Sequence, residues 1–179
     1  MGEAHQTAAP CPRDACPGGR LPGIDPGAPL DPRRLAVIEE ARGWLRTPYH
    51  HMGRIKGCGT DCLMLLAEVC KAACVLPHVE VPFYPPDWNL HRDTERYLDG
   101  VTRYAREVQP IEIPGSSPGT EPGNVAVFRF GRCFAHGAIV ISWPRLIHAC
   151  CDAGVVYGDG NRPPLAGRPV RFFDPFLNG

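Results

Sequence analysis

The sequence predicts an α+β domain whose helices precede an antiparallel sheet. Helical spacing of apolar residues fills 31–107, short β-type runs fill 125–173, and turn residues punctuate those runs. Helices first and a meander of strands last is the order of an α+β fold rather than of alternating βα units.

Residues 1–30 are dominated by Pro, Gly and Ala and hold Cys11 and Cys16. They read as an extended tail that adds nothing to the core and orders only against a partner. Residues 31–179 form the single domain, a length that can bury a proper core.

The first helix starts with Asp31 as N-cap and Pro32 in the first helical position. Leu35, Ile38, Ala41 and Leu45 fall on one face, and Pro48 sets the limit, because a residue ahead of proline disfavours helical dihedrals. Residues 48–59 form a loop rich in Gly and His. The second helix, about 60–75, is apolar nearly all round (Leu63, Leu65, Leu66, Val69, Ala73), which marks it as central and buried; Pro77 closes it. Residues 78–89 carry three prolines and read as a surface loop. A third helix is predicted over 91–107 with Tyr97, Leu98, Val101 and Tyr104, followed by a Pro/Gly/Ser-rich connector over 110–123. About five strands follow, around Val125–Phe128, Ala138–Ile141, Arg145–Ala149, Val155–Tyr157 and Val170–Phe173. Gly131, Pro144, Gly154, Gly158 and Pro163-Pro164 punctuate them.

Composition excludes several function classes. The 19 basic and 19 acidic residues cancel, and no basic run exists, so nothing steers the chain to nucleic acid. No apolar stretch reaches the length of a membrane span, and the N-terminus lacks the apolar core of a signal peptide. The expectation is a protein made in the cytoplasm that leaves, if it does, by another route. Nine cysteines cannot all pair within one chain, and most are expected to be reduced, small and buried. Cys58, Cys62, Cys70 and Cys74 could be read as a metal set. Structural zinc ligands sit as close pairs on turns, however, and not along one apolar helix. No metal or organic cofactor is expected.

The chemistry concentrates at Gly59-Thr60-Asp61-Cys62. This is a turn followed by a helix start, where free N–H groups and the helix dipole favour an anion. A thiol there is expected to have a lowered pKa and to react as thiolate. His136 and His148 lie on later strands. A thiol at a helix start with histidines on strands is the arrangement of a papain-like cysteine hydrolase.

These residues resemble the NlpC-type family of papain-like cell-wall cysteine peptidases, from about residue 34 to 174. The anchors are Thr47-Pro48-Tyr49, Gly59-Thr60-Asp61-Cys62, Pro122-Gly123-Asn124-Val125-Ala126-Val127-Phe128, Ala135-His136-Gly137-Ala138-Ile139 and Ile147-His148-Ala149. His51, Pro85-Pro86-Asp87-Trp88, Gly154-Val155-Val156 and an Arg- and Phe-rich ending resemble the branch found in phage tail tips and gene transfer agents. Leu63-Met64 stands where many members have Ser-Gly, Asn124 where Asp is usual, and Tyr157 where that branch often has an acid.

The resemblance implies a cysteine endopeptidase on peptidoglycan stem peptides, cutting the bond from the D-glutamate side chain to a diamino acid. Cys62 is then the nucleophile and its backbone N–H an oxyanion donor. His136 is the general base and later the acid, and His148 orients it. Tyr49 would form the active-site wall, with substrate contact expected at His51 and Asp61, the latter chiefly a helix cap. The implied setting is a virion tail tip acting in the host wall or periplasm, beside other tail-tip or baseplate proteins. Two rivals stay open: a non-catalytic tail component on the same fold, and a thiol acyltransferase. Each residue also has a plainer reading, a buried helix cysteine for Cys62 and satisfied strand histidines for the other two.

Overall fold

The computed structural model describes residues 30–86 and 94–176. Helix α1 spans Pro32–Gly43. Asp31 caps it, its carboxylate accepting from the Arg33 N–H at 2.9 Å, with Pro32 at the first position as the sequence requires. Its buried stripe is Val37, Ile38, Ala41 and Trp44, while Leu35 is 48% exposed. The helix is therefore rotated from the Leu35–Leu45 face that spacing suggested, because Trp44 fills the core end. The 48–59 stretch is not all loop: strands β1 (Arg54–Ile55) and β2 (Gly59–Thr60) pair antiparallel in a short ribbon.

Helix α2 spans Cys62–Ala72 and runs through the core, with Leu65 and Val69 fully buried. Helix α3 covers only Arg96–Thr102. The predicted continuation to 107 is a strand instead, β3 (Arg106–Val108), because the edge of a sheet offers it a partner. Residues 91–93 of that predicted helix lie outside the described residues, as do the 1–29 tail, Asp87-Trp88 and the last residues 177–179.

The remaining strands are β4 (Val125–Phe130), β5 (Cys133–Ser142), β6 (Arg145–Cys150), β7 (Gly154–Asp159) and β8 (Val170–Asp174). They join β3 in a six-stranded antiparallel sheet of order β3-β8-β4-β5-β6-β7. Strict alternation splits it into two apolar faces. Val127, Ile139 and Ile147 pack with α1 and α2 on one face. Ala126, Phe128, Ala138, Val140 and Leu146 form a second core on the other, closed by Trp143 and Leu165.

One polar cluster ties the N-terminal helix to the sheet. Arg34 donates to the Pro122 carbonyl (3.0 Å), to Asn124 Oδ1 (2.7 Å) and to Asp174 Oδ2 (2.6 Å). Asn124 in turn donates through Nδ2 to the Thr120 hydroxyl at 2.8 Å. An amide at 124 thus accepts on one side and donates on the other, which a carboxylate could not do.

Candidate active site

Asp61 places Cys62. Its Oδ1 accepts from the backbone N–H of Leu63 (3.1 Å) and Met64 (2.9 Å), which caps α2 and fixes Cys62 in the first helical position. Its Oδ2 accepts from the Met52 N–H (2.7 Å) and the Tyr84 hydroxyl (2.6 Å), with His51 Nδ1 at 3.5 Å. Asp61 is 2% exposed, so both oxygens are committed to the protein and none faces a substrate. His51 points the same way: its Nε2 meets the Tyr84 carbonyl at 2.7 Å and its ring stands edge-on to the Tyr84 ring. Tyr84, in the stretch read as a surface loop, is thereby a tethered wall. Arg54 secures the same stretch, donating to the Val79 carbonyl (2.8 Å) and to Glu68 (3.1 Å).

Met64 does not enter the groove. It is buried to 1% exposure, and its sulfur accepts from Arg54 Nε at 3.1 Å. Tyr49 is fixed beside the site by backbone bonds flanking its bridge to Thr60: His50 N–H to Thr60 O at 2.9 Å, and Thr60 N–H to Pro48 O at 3.1 Å. Burial and the neighbouring Cys62 and Asp61 push its phenol pKa up, so it stays a neutral hydroxyl in the wall.

The histidines come together on adjacent strands. Pairing of β5 with β6 sets Ala138 opposite His148, so His136, two residues along, is its diagonal neighbour on the same face. His136 Nε2 and His148 Nδ1 are 2.7 Å apart. His148 is 1% exposed, and desolvation brings its pKa down to about 4. His136 is half-buried against the Phe130 ring, and desolvation and then His148 hold its pKa well below the usual imidazole value. Two neutral imidazoles in contact mean one N–H donates to the other's lone pair. Cys150 Sγ also lies 3.5 Å from both His148 ring nitrogens.

The thiol meets this pair through the main chain. The β4–β5 register slips between Phe128 and Arg129 and leaves Ala135 as the extra residue of a bulge. Cys62 Sγ sits 3.7 Å from the Ala135 carbonyl, and the Gly137 N–H also points at it. The thiol therefore rests on the two residues flanking His136. Gly137 faces α2, since a Cβ there would strike Leu66 Cδ1 at 2.6 Å. The His136 side chain leaves the strand on the opposite side, and the thiol makes no hydrogen bond to its ring among the described residues.

The expected low thiol pKa is reversed. Burial, and then the Asp61 charge, push Cys62 up to about 11, against smaller opposing pulls from the Gly137 N–H and the Tyr97 hydroxyl. The helix start alone suggested the other sign, but desolvation of the sulfur and a carboxylate one residue away outweigh it. Tyr84 and Tyr97 are the site residues that sequence reasoning missed. Tyr97 was legible only as an apolar helix position; its 3% exposure and its place over the sulfur come from packing. The described cysteines Cys58, Cys62, Cys70, Cys74, Cys133, Cys150 and Cys151 are free thiols. No group of three or more metal-type ligands converges among the described residues.

No family model matches the sequence, and no curated protein matches it significantly. Solved structures do. The chain superposes on the NlpC/p60 domain of the peptidoglycan hydrolase SagA with a TM-score of 0.52 at 16% identity, over 77% of this chain and 96% of that one. A Staphylococcus aureus protein described as similar to a lipoprotein of the NLP/P60 family gives 0.55 at 19% identity, over 83% and 43%. An NlpC/p60 family protein from Bacillus cereus gives 0.52 at 18% identity, over 77% and 39%. The chain thus spans less than half the length of the last two. The fold is the papain-like NlpC/p60 fold: a central helix that begins at Cys62, packed on an antiparallel sheet.

Proposed function

We propose that this protein is a cysteine peptidase cleaving the peptide stems of bacterial cell wall. The observation that carries the reading is the seating of the Cys62 thiol at the head of α2, on the main chain either side of His136, whose ring His148 holds. The description of the SagA neighbour as a peptidoglycan hydrolase supports the substrate class. In the reaction, Cys62 Sγ attacks the scissile carbonyl carbon while His136 takes the thiol proton. The resulting oxyanion faces the Cys62 N–H at the helix start. The C–N bond breaks as His136 gives the proton to the leaving amine. Water, deprotonated by His136, then hydrolyses the thioacyl intermediate. Because the His136 ring leaves β5 on the side away from α2, proton transfer requires an intervening water or a turn of the strand at the Ala135 bulge that brings the ring round to the sulfur. The D-glutamyl to diamino-acid bond and delivery at a phage-type tail tip follow from the sequence resemblance and complete the proposal.

A second reading, a non-catalytic tail component, is favoured by one observation: the resting thiol is protonated, with no imidazole bonded to it. Digestion of purified peptidoglycan separates the two. The peptidase releases muropeptide fragments whose masses end at the glutamyl residue, and Cys62→Ala releases none. Equal fragment profiles for the two proteins would establish the structural reading.

A further inference from the structure

The Tyr97 hydroxyl is an unpaired polar group at the reacting sulfur. Tyr97 is 3% exposed on α3, and its hydroxyl has no hydrogen bond of good geometry among the described residues. Leaving a buried hydroxyl unpaired costs stability that phenylalanine would avoid. The surroundings are nonetheless shaped around this oxygen. A Cβ at Gly137 would lie 2.0 Å from it, so β5 gives up a side chain at the point where the phenol enters. The polar atom beside the hydroxyl is Cys62 Sγ.

We propose that the Tyr97 hydroxyl is a catalytic hydrogen-bond donor to the Cys62 sulfur, holding it in place and favouring the thiolate over the thiol. In the resting state the S–H donates to the Ala135 carbonyl, which leaves sulfur lone pairs towards Tyr97 and the Gly137 N–H. When the proton departs, the Ala135 contact is lost and both donors strengthen, because they now face an anion. Of the other groups acting on this sulfur, the Asp61 charge opposes the thiolate, and the Tyr84 hydroxyl is already donated to Asp61. His136 contributes as acceptor of the proton rather than as donor to the sulfur. The proposal rests on the nucleophile role given to Cys62 above, but its test does not need hydrolysis.

The experiment is the pH dependence of iodoacetamide alkylation at Cys62, followed by mass mapping on the full chain, for wild type and Tyr97→Phe. The variant keeps the ring and its packing, so it should melt at or above the wild-type temperature. Its alkylation profile should move up by about one pH unit, a tenfold loss of rate at fixed pH below the midpoint. A profile that does not move overturns the proposal. If Tyr97→Phe fails to fold, a fluorotyrosine at 97 replaces it. The more acidic phenol donates better, so the profile should shift down, and an unmoved profile again overturns the assignment. A shifted profile in a protein that never cleaves peptidoglycan would sustain the Tyr97 bond and sink the peptidase reading instead.

Discussion

Asp61→Asn should weaken the fold while making Cys62 more reactive, because the carboxylate serves the first and opposes the second. The asparagine Oδ1 can still accept from the N–H groups of Leu63 and Met64, so the cap survives. The amide nitrogen, however, faces two donors where Oδ2 accepted from Met52 N–H and Tyr84 O–H. The Tyr84 hydroxyl can turn to accept; the Met52 N–H cannot. One buried N–H left unpaired costs about 1–3 kcal/mol, and loss of charge assistance weakens the bonds that remain. The sum is about 2–4 kcal/mol, which lowers the melting temperature by roughly 5–12 °C for a domain of this size. Removing the carboxylate also removes a charge that raises the thiol pKa. Alkylation of Cys62 at pH 8 should therefore quicken, by about tenfold if the thiol pKa falls by one. Thermal melting and timed alkylation with mass mapping are the assays. A variant as stable as wild type, or one alkylated more slowly, would refute the placement of Asp61 as cap, clamp and local charge.

Two further outcomes follow from buried polar groups. His148 is protonated only near pH 4 when folded but at about 6.5 when unfolded, so its folded pKa is depressed. Stability should be fully present above pH 6.5 and fall as acid favours the unfolded, protonated form. The loss reaches about 3 kcal/mol by pH 4, at 1.36 kcal/mol per pH unit. His148→Gln should flatten urea midpoints across that window, and an unchanged slope would show that another group titrates. Arg34→Met should cost about 3–5 kcal/mol, because Asp174, with only 5% of its side chain exposed, is left charged without its partner. The measurement is the denaturant midpoint at constant m-value, and a fall equivalent to less than 1 kcal/mol would show that Glu121 and solvent carry Arg34 instead.

Local signals were legible in the sequence and long-range ones were not. Asp31-Pro32 and Asp61-Cys62 announce helix starts because an N-cap acts within three residues. The later strands stand out because alternation and turn residues are also local. Residues 106–108 read as helix because their own spacing permits it, and only pairing with β8 makes them a strand. Four residues of ribbon, β1 with β2, are too short to leave a pattern. The thiol pKa escapes the sequence for the same reason. The helix dipole can be inferred from a turn of sequence, whereas burial under Tyr97 and β5 depends on residues far along the chain. The roles of Tyr84 and Tyr97 arise wholly from such contacts.

The thiol and the Ala135 carbonyl it rests on are 73 residues apart in sequence. A chain that emerges N-terminus first, at roughly 5–20 residues per second, exposes Cys62 roughly 4–15 s before the strand that seats it. During that interval the head of α2 has no β5 bulge, no histidine pair and no phenol above it. The carbonyl that seats the sulfur is therefore absent until β5 has been made. The same delay leaves the sulfur without the partial cover it has in the folded protein, so oxidants and alkylating agents present during synthesis reach it more freely.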